Sequence, residues 1–373
     1  MKIFYLSNSI IPSCQANSFQ VMKMCEAFVQ AGQDVTLFGI RGSGRKADIW
    51  EHYGLSKRFT VQRMRRLPFG RTYDCSLRSA LRAIRGRPDW VFCRDIVAGT
   101  LTAKWGIPTI VELHHPTHGR WLLRLIFRAK GLRKIVLISD ALKRILCAEY
   151  EDFPPDEKVL VLPDAVNAEQ FATLPTPPQA RQICGLAEAP TVGYAGHFYP
   201  GRGIELILEI ARSLQQYHFV LIGGYAEDVQ RFSRQTRGEG LSNVQFAGFI
   251  PNPNLPMYLA ACDVLLMPYQ QKTDRDEGCN TCRWMSPMKM FEYMAAGRAI
   301  ISSDLPVLHE VLNKTNSVFC NPTDVQEWTE AVKNILDAAP LREALAARAQ
   351  KDVKQYTWIK RAERIIEQME MER

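Results

Sequence analysis

The stretch 286–297, Ser-Pro-Met-Lys-Met-Phe-Glu-Tyr-Met-Ala-Ala-Gly, places a cation and a carboxylate one helical turn apart. Ser286 can cap a helix, Pro287 suits its first position, good helix formers follow, and Gly297 stops it. A helix N-terminus offers unpaired N–H groups and a partial positive charge, so it attracts anions. Lys289 in that first turn works against the dipole, and a bound anion would justify it. Glu292 on the same face can accept from a pair of sugar hydroxyls. A phosphate end and a hydroxyl end on one helix suit a nucleotide.

Further chemistry gathers where apolar runs end. The run 109–113 ends in His114-His115-Pro116-Thr117-His118. Pro116 forbids a shared helical face for His114 and His118, so a zinc pair is not expected. Alternation along the run points Glu112 and His114 the same way, and His114 at a strand's carboxyl end can orient a substrate hydroxyl or support a leaving group. Gly196-His197-Phe198-Tyr199-Pro200-Gly201-Arg202-Gly203 follows another apolar run and opens a helix; Arg202 there can grip a diphosphate with two N–H groups. Gly223-Gly224 and Gly248-Phe249-Ile250-Pro251 end two further runs, where Gly223, Phe249 and Ile250 can frame a base. Asn17 or Ser18 can cap the helix that follows the first run and meet a phosphate or an acceptor. Cys279 and Cys282 form one CxxC without a second pair, which is read as loop thiols.

Strands and helices must position these groups. Short apolar runs at 2–7, 34–40, 90–93, 109–113 and 135–138 alternate with helical patterns at 18–30, 75–84, 98–105, 120–129 and 140–149. A run at 158–162 closes this half, and the Pro-rich 174–178 reads as a linker. Alternation restarts with strands at 191–195, 219–222, 244–247 and 264–267, and helices at 204–215, 226–237 and 254–261. The fold class is therefore α/β, with two Rossmann-like parallel-sheet domains and a cleft expected between them. The expected domains are 1–166 and 167–356, with the helix from 357 to 373 packing back on the first. The long polar loop after the first run lacks G-x-G-x-x-G, which argues against a dinucleotide oxidoreductase.

The 373 residues suffice for two cores. No apolar run reaches the about 18 residues a membrane helix needs, and the scattered cysteines fit a reduced, cytoplasmic setting. Residues 1–164 hold 26 Lys and Arg against 15 Asp and Glu, a net of +11, whereas the remainder is −3. Arg120, Arg124 and Arg128 edge a helix whose apolar face includes Trp121, so an anionic membrane surface is one expected partner and a solvated arginine edge the plainer alternative. Nucleic acid is not expected, because the arginines lack an interleaved aromatic platform.

The whole chain resembles the retaining glycosyltransferases of family 4, which have the GT-B fold. The resemblance rests on ordered landmarks: Ala16-Asn17-Ser18, His114, Ser139-Asp140, Pro163 to Asn167, Gly196 to Gly203, Asp263 to Pro268, the Phe291 to Gly297 helix, and Tyr356-Thr357-Trp358. It implies a nucleotide-sugar donor, UDP-linked before GDP-linked, and a glycan, lipid-linked or small-molecule acceptor, with retention at the anomeric carbon. It makes His114 the catalytic-site histidine, Glu292 the ribose ligand, and Arg202, Lys289, Ser286, Gly196 and His197 the diphosphate site. These cations can stabilise the leaving diphosphate with no cofactor or metal required. Two positions depart from the family: Trp284 stands where the Glu-x7-Glu signature has its first glutamate, and His197 replaces a frequent arginine. The donor sugar is then left to Glu277 or to the segment of Trp284, Met285, Pro287 and Met288. A GT-B epimerase and a non-catalytic glycan- or nucleic-acid-binding protein are the alternatives.

Overall fold

The computed structural model describes residues 1–42, 48–67, 73–116, 119–272 and 280–372. The chain divides into two units, 1–164 with 358–373, and 165–357. The first unit holds β1 (Lys2–Ile11), β2 (Asp34–Arg41), β3 (Thr60–Met64), β4 (Trp90–Cys93), β5 (Thr109–Leu113), β6 (Leu132–Leu137) and β7 (Val159–Val161). They form one parallel sheet in the order β3-β2-β1-β4-β5-β6-β7. The second holds β8 (Thr191–Gly196), β9 (His218–Gly223), β10 (Val244–Gly248), β11 (Val264–Met267), β12 (Ala299–Ser303) and β13 (Val318–Cys320). These too are parallel, in the order β10-β9-β8-β11-β12-β13. Each order reverses beside its first strand, at β1/β4 and at β8/β11, which opens a crevice beyond the strands' carboxyl ends.

Period-two alternation builds both faces of the first sheet. Phe4 and Leu6 of β1 join Phe38, Val91, Ala80 and Ala98 on one face. Tyr5 turns the other way onto Phe92, ring centroids 5.1 Å apart, and Phe92 meets Phe28 of the Ala16–Gln30 helix at 5.3 Å. Each fully buried ring of this kind stabilises the unit by roughly 1.5–3 kcal/mol. In the second unit Phe219, Leu221, Leu266 and Ile301 pack with Trp328 and Val332 of the Val325–Asp337 helix.

Several elements depart from expectation. β1 continues to Ile11, through a register shift between Leu6 and Ile10. Ser7, the last residue of the expected run, and Ser9, expected in the loop after it, are buried with their hydroxyls bonded to one another at 2.9 Å. The Pro-rich linker instead starts the helix Pro177–Cys184, where Thr176 and Gln179 form a capping box. β13 and the helices Val325–Asp337 and Ala339–Asp352 carried no expectation. The last helix, Trp358–Met371, belongs to the first unit and packs against Ala16–Gln30.

Candidate active site

The switch point of the second sheet is lined by β8, β11 and the helix Met288–Ala295. Gly196 ends β8 with φ +147°, and a Cβ there would lie 2.6 Å from Lys289 Nζ, so glycine is what lets the lysine approach the strand end. Lys289 Nζ sits 3.9 Å from the Tyr194 ring centroid and 5.3 Å from that of Tyr269. The Arg202 guanidinium carbon sits 4.5 Å from the Tyr199 ring and 5.0 Å from Tyr269, with an N–H donated to the Tyr199 hydroxyl. Neither Lys289 Nζ nor Arg202 Nε has a hydrogen-bond partner among the described residues. Some of the Lys289 stem keeps its surface while Nζ itself is enclosed. Burial pushes its amine well below the ordinary lysine range, Arg202 adds to that, and Glu292 opposes it. Ring faces attract cations but supply no counter-charge. Two cations beside a helix N-terminus, held by tyrosine rings and without a carboxylate contact among the described residues, can receive an anion.

The helix starts one residue later than expected. Pro287 is its cap residue, in an extended conformation, and no side chain caps it, so Ser286 is not the cap. Ser286 is buried immediately before it. Gly297 does close the helix, in the left-handed region at φ +61°. His197 stacks between Tyr199 and Tyr225, with centroids at 5.7 and 5.0 Å, and its carbonyl accepts from the Tyr194 hydroxyl at 2.7 Å. Gly223 ends β9 at φ +106°, next to Gly224, whose N–H donates to Gly196 O at 2.9 Å. Beyond β10, Phe249 is half exposed and Ile250 partly so. Glu292 is partly exposed. Trp284 and Met285 are buried, so their side chains wall the segment, and Pro287 and Met288 follow at its surface. Glu277, His118 and Cys279 lie outside the described residues. Cys282 is buried with its thiol donating to Gln270 O at 2.9 Å.

In the first unit, His114 and Glu112 do face the same way, and His114 Nε2 lies 2.6 Å from Glu112 Oε1. That oxygen also accepts from Gln20 Nε2 at 2.6 Å and Arg361 Nη2 at 3.1 Å. Gln20 accepts in turn from Arg94 at 2.6 Å. Burial pushes His114 down to about 3, and Arg94 adds to it against the pull of Glu112. Burial pushes Glu112 up, but Arg361 and the His114 hydrogen bond hold it well below the usual carboxylate range. Asp164 goes the other way: burial and the neighbouring Glu112 raise it to about 7, with Arg361 and Arg94 offsetting part of the rise. Arg94, Gln20, Asp164 and Arg361 were missed as site residues. Arg94 was the most legible, since it follows the apolar run 90–93 just as His114 follows 109–113.

Neither Asn17 nor Ser18 is a cap. Gln15 takes that place without a side-chain bond, and both residues lie within the first turn of Ala16–Gln30. Ser18 is buried and spends its hydroxyl on Gln15 O and Ser13 O at 2.8 and 3.0 Å. Asn17 Oδ1 has no partner among the described residues. Glu112, His114 and Asp164 bring three possible metal ligands within 4.8 Å of one another. The donor set does not suit a divalent cation, because Gln20 and Arg361 already donate to Glu112 Oε1, His114 Nε2 lies 2.6 Å from the same oxygen, and Arg361 supplies the positive charge.

Residues 19–170 match the family model described as Glycosyltransferase Family 4, and residues 189–338 the one described as Glycosyl transferases group 1. The 2-deoxystreptamine glucosyltransferase of Streptomyces kanamyceticus is 25% identical over 251 residues, 64% of this chain and 60% of that protein; the chain thus spans about three fifths of that curated relative. Among solved structures, HepE from Anabaena in complex with UDP and glucose superposes with a TM-score of 0.76 at 18% identity, covering 99% of both chains. Sucrose-phosphate synthase from Thermosynechococcus elongatus gives 0.75 at 16% identity over 99% of this chain and 98% of its own. At these identities the structures establish the fold.

Proposed function

We propose, for a chain that belongs to the glycosyltransferases by the match of both its halves and has their GT-B fold, that it moves a sugar from a UDP-sugar to an acceptor hydroxyl with retention at the anomeric carbon. The carrying observation is the pair Lys289 and Arg202, enclosed by tyrosines at a helix N-terminus, with Lys289 Nζ unpartnered among the described residues. A nucleoside diphosphate supplies the missing negative charge. As the C1–O bond to the diphosphate breaks, the leaving group keeps the electron pair, and both cations and the first-turn amides of Met288–Ala295 stabilise it. No metal is required for that charge balance. Glu292 takes the ribose hydroxyls, and Gly223, Phe249 and Ile250 frame the base. The 284–288 backbone meets the donor sugar, and His114, neutral by virtue of its burial, meets a hydroxyl of the transferred sugar or acceptor. UDP and glucose bound to HepE, and the glucosyl transfer in the name of the curated relative, support this choice of donor. Transfer or hydrolysis across a panel of UDP-, GDP- and ADP-sugars tests it. A UDP-sugar should be used best, and no turnover or binding with any of them at millimolar concentration overturns it.

The acceptor side belongs at a membrane surface in this reading. No described helix is long and apolar enough to cross a membrane. On the helix Arg120–Phe127, Trp121 is 68% exposed beside Arg120, and among the described residues Arg124 and the following Arg128 reach Asp152, at 3.7 and 2.9 Å. The adjoining helix Ile96–Trp105 ends in Trp105, equally exposed, and the next, Tyr73–Gly86, exposes Leu77 and Leu81. Exposed indole rings among arginines fit an anionic bilayer. Co-sedimentation should require anionic lipid and weaken with salt; binding indifferent to both contradicts it.

A further inference from the structure

Arg361 lies 249 residues from Glu112 in sequence, on the last helix of the chain, yet the two form a buried ion pair. Nη2 donates to Glu112 Oε1 at 3.1 Å, and Nη1 lies 3.5 Å from Oε2. The remaining guanidinium donors reach Pro163 O at 2.9 Å, Leu162 O at 3.2 Å and Met24 Sδ at 3.3 Å. A buried pair of this kind is often no more stabilising than apolar side chains of the same volume, so stability alone is a poor account of it. The bonds around Glu112 suggest another. Gln20 gives its carbonyl to Arg94, so its amide must donate to Glu112. Arg361 can only donate. A carboxylate ringed by donors has no proton to give, and His114 must then present N–H to it.

We propose that Arg361 is a positioning residue for His114: it holds Glu112 as an acceptor, and Glu112 fixes the imidazole with its proton on Nε2 and its lone pair on Nδ1. The reaction's histidine thereby depends on the chain's last helix. The inference rests on the reading of His114 as a substrate contact. The tautomer decides whether Nδ1 accepts or donates, and so which chemistry the ring can offer. The pKa directions agree, since the ring is held neutral and Glu112 ionised.

The test is the nitrogen NMR spectrum of the full chain labelled with 15N-histidine, assigned with His114→Gln, together with steady-state kinetics. The native protein should show His114 protonated at Nε2. In Arg361→Met, Glu112 loses its counter-charge, takes up a proton and donates it to Nε2, so the ring proton moves to Nδ1. The kcat should fall about a hundredfold, as for other small misplacements of a reacting group, while the donor KM stays within about twofold. Arg361→Lys should keep the native tautomer and recover most of kcat. If Arg361→Met does not fold, Glu112→Gln carries the test, because it removes the charge and leaves the arginine in place; a mixed tautomer and reduced kcat are expected. A native tautomer with native kcat in either folded variant overturns the proposal. The spectra need no turnover, so they stand apart from the transferase reading, which fails instead if the native protein uses no donor.

Discussion

The two strand-end clusters handle charge in opposite ways. In the second unit, Lys289 and Arg202 are wrapped in tyrosine rings, and Lys289 has no hydrogen-bond partner among the described residues. In the first unit, Glu112 is met by three donors, and the Arg361 guanidinium shares its N–H groups among a carboxylate, two carbonyls and a thioether. A desolvated charge without a partner is costly and makes sense where a ligand brings the partner. A saturated charge makes sense where geometry must be set before the ligand arrives. In the proposed function the second unit's cluster receives, and the first unit's prearranges.

This contrast can be broken by substitution. Glu112→Ala has the largest expected effect on the fold, since it strands Arg361 in the interior and should cost about 3–5 kcal/mol in denaturant unfolding. Lys289→Met should do the reverse. Transfer should fall about a hundred- to a thousandfold, the size of losing one preorganised donor to a developing anion, while the melting temperature stays level or rises. Equal destabilisation by both substitutions removes the distinction. Glu292→Gln is expected to raise the donor KM about tenfold, in line with one hydrogen bond to a charged group, and to leave the fold unchanged.

The remaining effect is a pH dependence. Asp164 has a folded-state value near 7, above its unfolded value, so its contribution is complete below the unfolded pKa and is lost as pH rises toward 7. His114, lowered to about 3, acts oppositely: its contribution is present above its unfolded value and lost as pH falls. The two partly cancel in the native protein between about pH 4 and 6.5. Asp164→Asn removes only the first, so its stability relative to the native protein should climb steadily between pH 4 and 7. A flat difference contradicts the burial assigned to Asp164.

These outcomes bear on what the sequence makes legible. The runs 90–93, 109–113 and 264–267 match their strands residue for residue, because strands covered on both faces are continuously apolar. Lys289 could be singled out because a first-turn lysine conflicts with the helix dipole, and a local conflict is visible in local sequence. The Glu112–His114 pair was visible as two-residue alternation. Arg361 was not, since nothing within its own helix distinguishes an arginine that turns inward from one in solvent. Its partners, Glu112, Leu162 and Pro163, are joined to it only by the fold. The starts of the helices Ala16–Gln30 and Met288–Ala295 were placed on Asn17, Ser18 and Ser286 by cap preference, yet Gln15 and Pro287 occupy those positions without a side-chain bond. Cap preference misplaces such starts, because it weighs the side chain and not what the first-turn amides face.

The most direct measurement is calorimetric titration of UDP into the native protein, Lys289→Met and His114→Gln. Saturable binding by the native chain and His114→Gln, weakened at least a hundredfold in Lys289→Met with its fold intact, is the predicted result. UDP binding of equal strength in the native protein and Lys289→Met would contradict the assignment of the tyrosine-lined cations as the donor's diphosphate site.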